Sequence, residues 1–73
     1  MTEKSALDYQ IGGDHYKDMA IQPVVFIHAN KLPFLDGDIV KRICRWRKKE
    51  NGILDLEKIK QECDLLIELE KLK

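Results

Sequence analysis

The sequence predicts an all-α fold: a short N-terminal arm and helix, then an antiparallel helical hairpin that assembles into an oligomer. Three observations predict it. Apolar residues recur at helical spacing over residues 35–46 and again over 56–72. Pro23, Leu32-Pro33 and Asn51-Gly52 punctuate these stretches with residues that open or stop helices. The last helix carries one apolar stripe more than a hairpin partner can cover.

Residues 1–21 are polar and poorly periodic, and Gly12-Gly13-Asp14 is turn chemistry, so they read as an arm and a loop. Pro23 suits the first turn of a helix, where its missing N–H is not needed. A short apolar helix over 23–31 follows, ended by Leu32-Pro33, because a residue before proline avoids the helical region. Asp36 or Asp38 is placed to cap a basic helix over 36–50. Asn51-Gly52 reads as its left-handed stop. Asp55 then caps a C-terminal helix over 55–72. The short connection between these two helices predicts that they pack antiparallel. No repeat, linker or second domain interrupts residues 1–73.

A chain this short buries only about 60% of the surface its unfolded form exposes, so folds of this size rely on disulfides, a metal or a partner subunit. Cys44 and Cys63 sit inside apolar helical patterns and make no C-x-x-C pair. They read as two reduced, buried thiols of a cytosolic protein. His15 and His28 match no ligand spacing with them, so no metal is expected. Self-association remains. On the C-terminal helix Leu56, Ile59, Cys63, Leu66 and Ile67 form one stripe, and Leu65, Leu69 and Leu72 a second, nearly opposite. The second stripe predicts a homo-oligomer. No hydrophobic run approaches the length of a membrane span, and MTEKSALDYQ lacks the apolar centre of a signal peptide. No membrane partner is expected.

The chain has 13 basic and 13 acidic side chains, but they are segregated. Residues 41–49 hold six bases and no acid, while residues 1–40 and 50–73 are each net −3. A protein built to bind nucleic acid would be basic overall, so nucleic acid is not the expected partner. One concentrated cationic segment suits a compact anion, or the acids of a neighbouring helix or subunit. On the helical wheel Leu35, Ile39, Ile43 and Trp46 take one side of the basic helix. Lys41, Arg42, Arg45, Lys48 and Lys49 take the other. Arg47 falls on the apolar side, where its stem packs and its head reaches water, or where it aims at a phosphate or carboxylate. The ligand-contacting residues expected are Lys41, Arg45 and Lys49 for phosphate, Tyr16 for stacking on a base, and His15 and Lys17 closing from the arm. No phosphate loop, dinucleotide fingerprint or nucleophile elbow is present, so no catalytic residue is named.

These residues carry a resemblance. GGDHYKDMAIQP, FIHANKLPF and GDIVKRICRWRKKENGILDLEKIKQECDLLIE look like a family of small phage proteins of uncharacterised function. Its members are often labelled nucleotide kinases, because a coliphage enzyme phosphorylating dGMP and dTMP contains a similar region. The resemblance covers roughly residues 9–69. Its most specific parts are His15-Tyr16, Ile21-Gln22-Pro23, Asn30-x-Leu32, and Lys41 with Arg45 ahead of Gly52-x-x-Asp55-Leu56. The chain departs from the family pattern at Asp38, where Asn is usual, and at Arg42, where an aromatic is frequent. The resemblance implies a phage origin, the host bacterial cytoplasm and a link to nucleotides. The function expected is binding and sequestering a nucleotide without a cofactor. By fold-level analogy with small helical phage sponges, the nucleotide would be a cyclic signal of host antiviral defence. The second reading is a nucleoside monophosphate kinase or its accessory part, which would need magnesium. The third is inhibition of a host protein by surface contact.

Overall fold

The computed structural model describes Tyr16 and residues 18–73. His15 and Lys17, two of the expected ligand-contacting residues, lie outside the described residues. The described chain is helical throughout: α1 over Pro23–Ala29, α2 over Phe34–Arg45, and α3 over Gly52–Lys71. A 3-10 turn over Trp46–Lys48 extends α2, and among the described residues there is no strand. No helix is long and apolar enough to cross a membrane among the described residues.

Local chemistry sets each boundary. Pro23 opens α1, where the lack of an N–H costs nothing. The Asn30 side chain donates to the Phe26 carbonyl at 3.0 Å. Lys31 follows with φ 53°, so the helix is closed before residue 31. Neither Asp36 nor Asp38 caps α2. The helix begins earlier, at Phe34 after Pro33, with no side-chain cap. Asp36 lies in the first turn, and Asp38 is turned to cations one helical turn along.

Asn51-Gly52 does not stop a helix in the left-handed conformation. Asn51 (φ −116°) precedes α3 and Gly52 opens it. Gly52 is needed for space: a Cβ there would overlap the Trp46 carbonyl. Asp55 is therefore inside the first turn of α3 and is no cap. Gly37 plays a similar part between α1 and α2, where a Cβ would lie 2.9 Å from the Ile27 Cγ2 methyl.

α2 packs against α1 and α3, and α1 does not reach α3. Half-buried apolar side chains line α2 and its 3-10 extension (Leu35, Ile39, Trp46) and α3 (Leu56, Ile59, Leu66). Yet among the described residues the buried side chains are those of Pro23, Asp55 and Glu62. Ile43 and Ile67, expected in the apolar stripes, are exposed. Cys63, expected as a buried thiol, is also exposed, and Cys44 is half-buried. Leu65, Leu69 and Leu72 are exposed as well. The side of α3 that meets α2 is centred on charge, and this displaces its leucines to the flanks.

Candidate functional site

The acid-free segment places Arg42 and Arg45 three residues apart on one side of α2, and Lys49 follows in extended backbone just past its 3-10 extension. Asp55 and Glu62, seven residues apart, share one side of α3. The two sides meet. Asp55, 1% exposed, accepts from Arg42 Nη1 at 2.8 Å through Oδ1. It also accepts from Arg45 twice, Nη2 to Oδ1 and Nε to Oδ2, both at 3.1 Å. Lys49 Nζ stands 3.4 Å from the same carboxylate. The Arg45 hydrogen bonds, working against burial and joined by Arg42, hold the Asp55 carboxyl down at about 2. Both guanidiniums are correspondingly raised, against the cost of burial.

The second acid group is tighter. Arg42 Nε donates to Asp38 Oδ2 at 2.7 Å, and Lys41 Nζ pairs with Asp38 Oδ1 at 3.2 Å. Asp38 and Arg42, the two departures from the resembled family's pattern, are thus each other's partners. Arg42 Nε also lies 3.0 Å from Glu62 Oε1, but its single N–H points to Asp38, and Glu62 Oε1 has no aligned donor. Burial first, then the neighbouring Asp38, pushes the Glu62 carboxyl up. Asp38 goes the other way. Burial would raise it, but hydrogen bonds from the Glu62 carboxyl, Arg42 and Lys41 outweigh this and hold it at about 2. The two carboxyls are thus driven apart, Asp38 down and Glu62 up, as two acids in close contact are.

Above this network sits the end of the arm. Tyr16 Oη accepts from Arg45 Nη1 at 3.2 Å. Tyr16, Gln22, Pro23, Val24, Ile27 and Lys41 enclose a largely apolar cavity of about 120 Å³. A more open hollow of about 230 Å³, floored by Ile27, Pro33, Phe34 and Gly37, adjoins Lys41 from the other side. Lys41 therefore stands between two concavities with its side chain 41% exposed, whereas Arg45 is 18% exposed and committed to Asp55.

Of the expected ligand-contacting residues, the structure brings Tyr16, Lys41 and Arg45 around one end of α2. Lys49 lies by Asp55. Lys48 is exposed, and Arg47 stacks over the Trp46 ring at 4.4 Å from its centroid instead of entering the protein. Gln22, Asp55 and Glu62 were not singled out as site residues by the sequence pattern. The available signal was the seven-residue spacing of two acids on the side of α3 that also carries Ile59 and Leu66. Among the described residues no cluster of His, Cys, Asp and Glu is arranged to hold a metal ion.

No curated protein and no solved structure matches the chain. A family model does match, over residues 11–64, a span holding Tyr16, Gln22, Lys41, Arg45, Asp55 and Glu62. The chain belongs to DUF3310, a family of proteins of unknown function.

Proposed function

We propose that the protein binds a nucleotide and holds it without turnover. The cavity between Tyr16, the start of α1 and Lys41 carries this reading. Its apolar walls and aromatic ring suit a base. Lys41 at the rim is the cation placed to meet phosphate, with Lys49 further along the same basic segment. Arg45 acts behind them by fixing the Tyr16 hydroxyl. His15 and Lys17 flank Tyr16 in sequence and would close the site from the arm. The architecture that goes with this reading is an antiparallel α2–α3 hairpin. Supporting it, partners run in opposite order along the two helices, Asp38 and Arg42 meeting Glu62 while Arg42, Arg45 and Lys49 meet Asp55.

The test is to incubate the purified protein with a panel of nucleoside mono- and triphosphates and cyclic dinucleotides, remove unbound ligand, and release the rest by heat. Return of one intact nucleotide is the expected result. A phosphorylated product in the presence of magnesium and a triphosphate would replace this reading with the kinase. Retention of nothing at millimolar ligand would discard it.

A further inference from the structure

Asp38 has three partners, and they are not equally held. Arg42 Nε donates to its Oδ2 at 2.7 Å, and the same guanidinium is fixed from behind by Asp55 through Nη1. The Glu62 carboxyl reaches Asp38 from α3 and is itself buried. Lys41 Nζ stands 3.2 Å from Oδ1, on a flexible side chain that is 41% exposed. Of the three, Lys41 is the one with water to turn into, and it borders both hollows. The hollow beside Asp38 is otherwise lined by Ile27, Leu32, Pro33, Phe34 and Gly37, so α1 and its connection to α2 bring it no second charge. An anion at the cavity rim must therefore take Lys41 from Asp38. Two acids are then left on one guanidinium, whose Nε has a single N–H and whose Nη1 is committed to Asp55. Two carboxyls in contact with so few donors favour a shared proton.

We infer that Asp38 competes with the ligand's phosphate for Lys41, and that the Asp38–Glu62 pair takes up a proton when the phosphate wins. The inference rests on the proposed place of the phosphate at Lys41, and it makes Asp38 and Glu62 the residues through which pH sets the affinity of that site. With both carboxyls ionised, Asp38 keeps its hold on the lysine and the site is weak. As pH falls and the pair takes its proton, that hold loosens and the site tightens. Burial and the neighbouring Asp38 already push the Glu62 carboxyl up, so the pair is poised to accept.

Inorganic sulfate is the probe, because its charge is constant between pH 5 and 8 and it needs no base cavity. Its affinity for the full chain, read from NMR shifts around Lys41, should rise as pH falls from 8 to 5, by at most about tenfold per pH unit, the limit for one proton. Glu62→Gln should flatten that profile. Asp38→Asn should flatten it too and should tighten sulfate binding at pH 7, which loss of a residue that only supports the fold would not do. Asp36→Asn, the same change of charge in the first turn of α2, should keep the parent's slope. Without any ligand, Lys41→Gln should move the titration of the Asp38 and Glu62 carboxyl carbons upward. A sulfate affinity unchanged across the range, or weakened by Asp38→Asn, would overturn the inference. So would a pair whose titration ignores Lys41→Gln, or a site that takes no sulfate at pH 5. Failure of the nucleotide reading looks different: sulfate binds at Lys41 with this pH profile while no nucleotide is retained.

Discussion

Arg45 meets Asp55 at two points, Nε on Oδ2 and Nη2 on Oδ1, both at 3.1 Å, with the carboxylate 1% exposed. A carboxylate this deep is stable as an anion only while its donors remain. Asp55→Ala leaves Arg42, Arg45 and Lys49 facing one another with no acid between. It should cost about 3–5 kcal/mol, the usual scale for breaking a buried pair. Arg45→Lys keeps the charge but loses the planar fork, so it should cost a fraction of that. Urea unfolding of the parent and both variants checks the order. Equal midpoints would mean the pair contributes nothing.

The two buried carboxyls should respond to pH in opposite senses. Asp55 titrates at about 2 in the fold and near 3.8 when unfolded. The unfolded chain takes up its proton first, so the stabilisation is complete above about pH 4 and disappears as pH falls toward 2. It amounts to on the order of 2 kcal/mol. Glu62 is raised above its ordinary 4.5. The folded chain holds that proton longer, so raising the pH through and above 4.5 costs stability. Glu62→Gln should therefore hold or raise the melting temperature at pH 7, and Asp55→Asn should lower it. Thermal melts from pH 2 to 8 separate the two, and a loss on Glu62→Gln at pH 7 would show that its charge is needed.

Gly37 offers a test of the α1–α2 contact. In an open helix Gly→Ala gains about 1 kcal/mol. Here the new methyl would meet Ile27 Cγ2 at 2.9 Å, and a β-branched side chain has little room to turn away. Gly37→Ala should instead cost about 1–3 kcal/mol by overpacking. Pairing it with Ile27→Ala should recover part of the loss. A stabilised Gly37→Ala would mean that α1 shifts freely on α2.

Helical content and the places where the chain breaks were legible because Pro23, Leu32-Pro33 and Asn51-Gly52 act locally. The caps were not, since Asp38 and Asp55 had two uses open to them. A capping hydrogen bond is worth about 1 kcal/mol, and an acid-free segment with Arg42 and Arg45 offers more. Which side of the basic helix met its neighbour was also hidden. A helical wheel separates apolar from charged residues but cannot show that α3 presents Asp55 and Glu62 to its partner. The cationic segment was legible, but not which acids answer it: those of Arg42 and Arg45 lie 13 and 10 residues further along the chain at Asp55.

Lys41 and Tyr16 distinguish ligand binding from support of the fold. The Lys41 side chain is 41% exposed and pairs with Asp38 at 3.2 Å, so its loss should change stability by less than about 1 kcal/mol. If a phosphate sits at the cavity rim, Lys41→Ala should weaken nucleotide binding by about 1.5 kcal/mol, roughly tenfold. Added salt should erode the parent's affinity in the same direction, because the contact is partly in water. Tyr16→Phe keeps the ring that walls the cavity and loses only the oxygen that accepts from Arg45. Tyr16→Ala loses both. Binding should fall modestly in the first and by about 1–3 kcal/mol in the second, the scale of one stacked base. Arg45→Ala behaves differently, because its two bonds to Asp55 make it a structural residue before it is anything else. It should lower the melting temperature more than either Tyr16 variant does. Calorimetric titration beside a melting curve on each variant reads both quantities. Nucleotide affinity unchanged in Lys41→Ala and Tyr16→Ala would remove the ligand from this cavity.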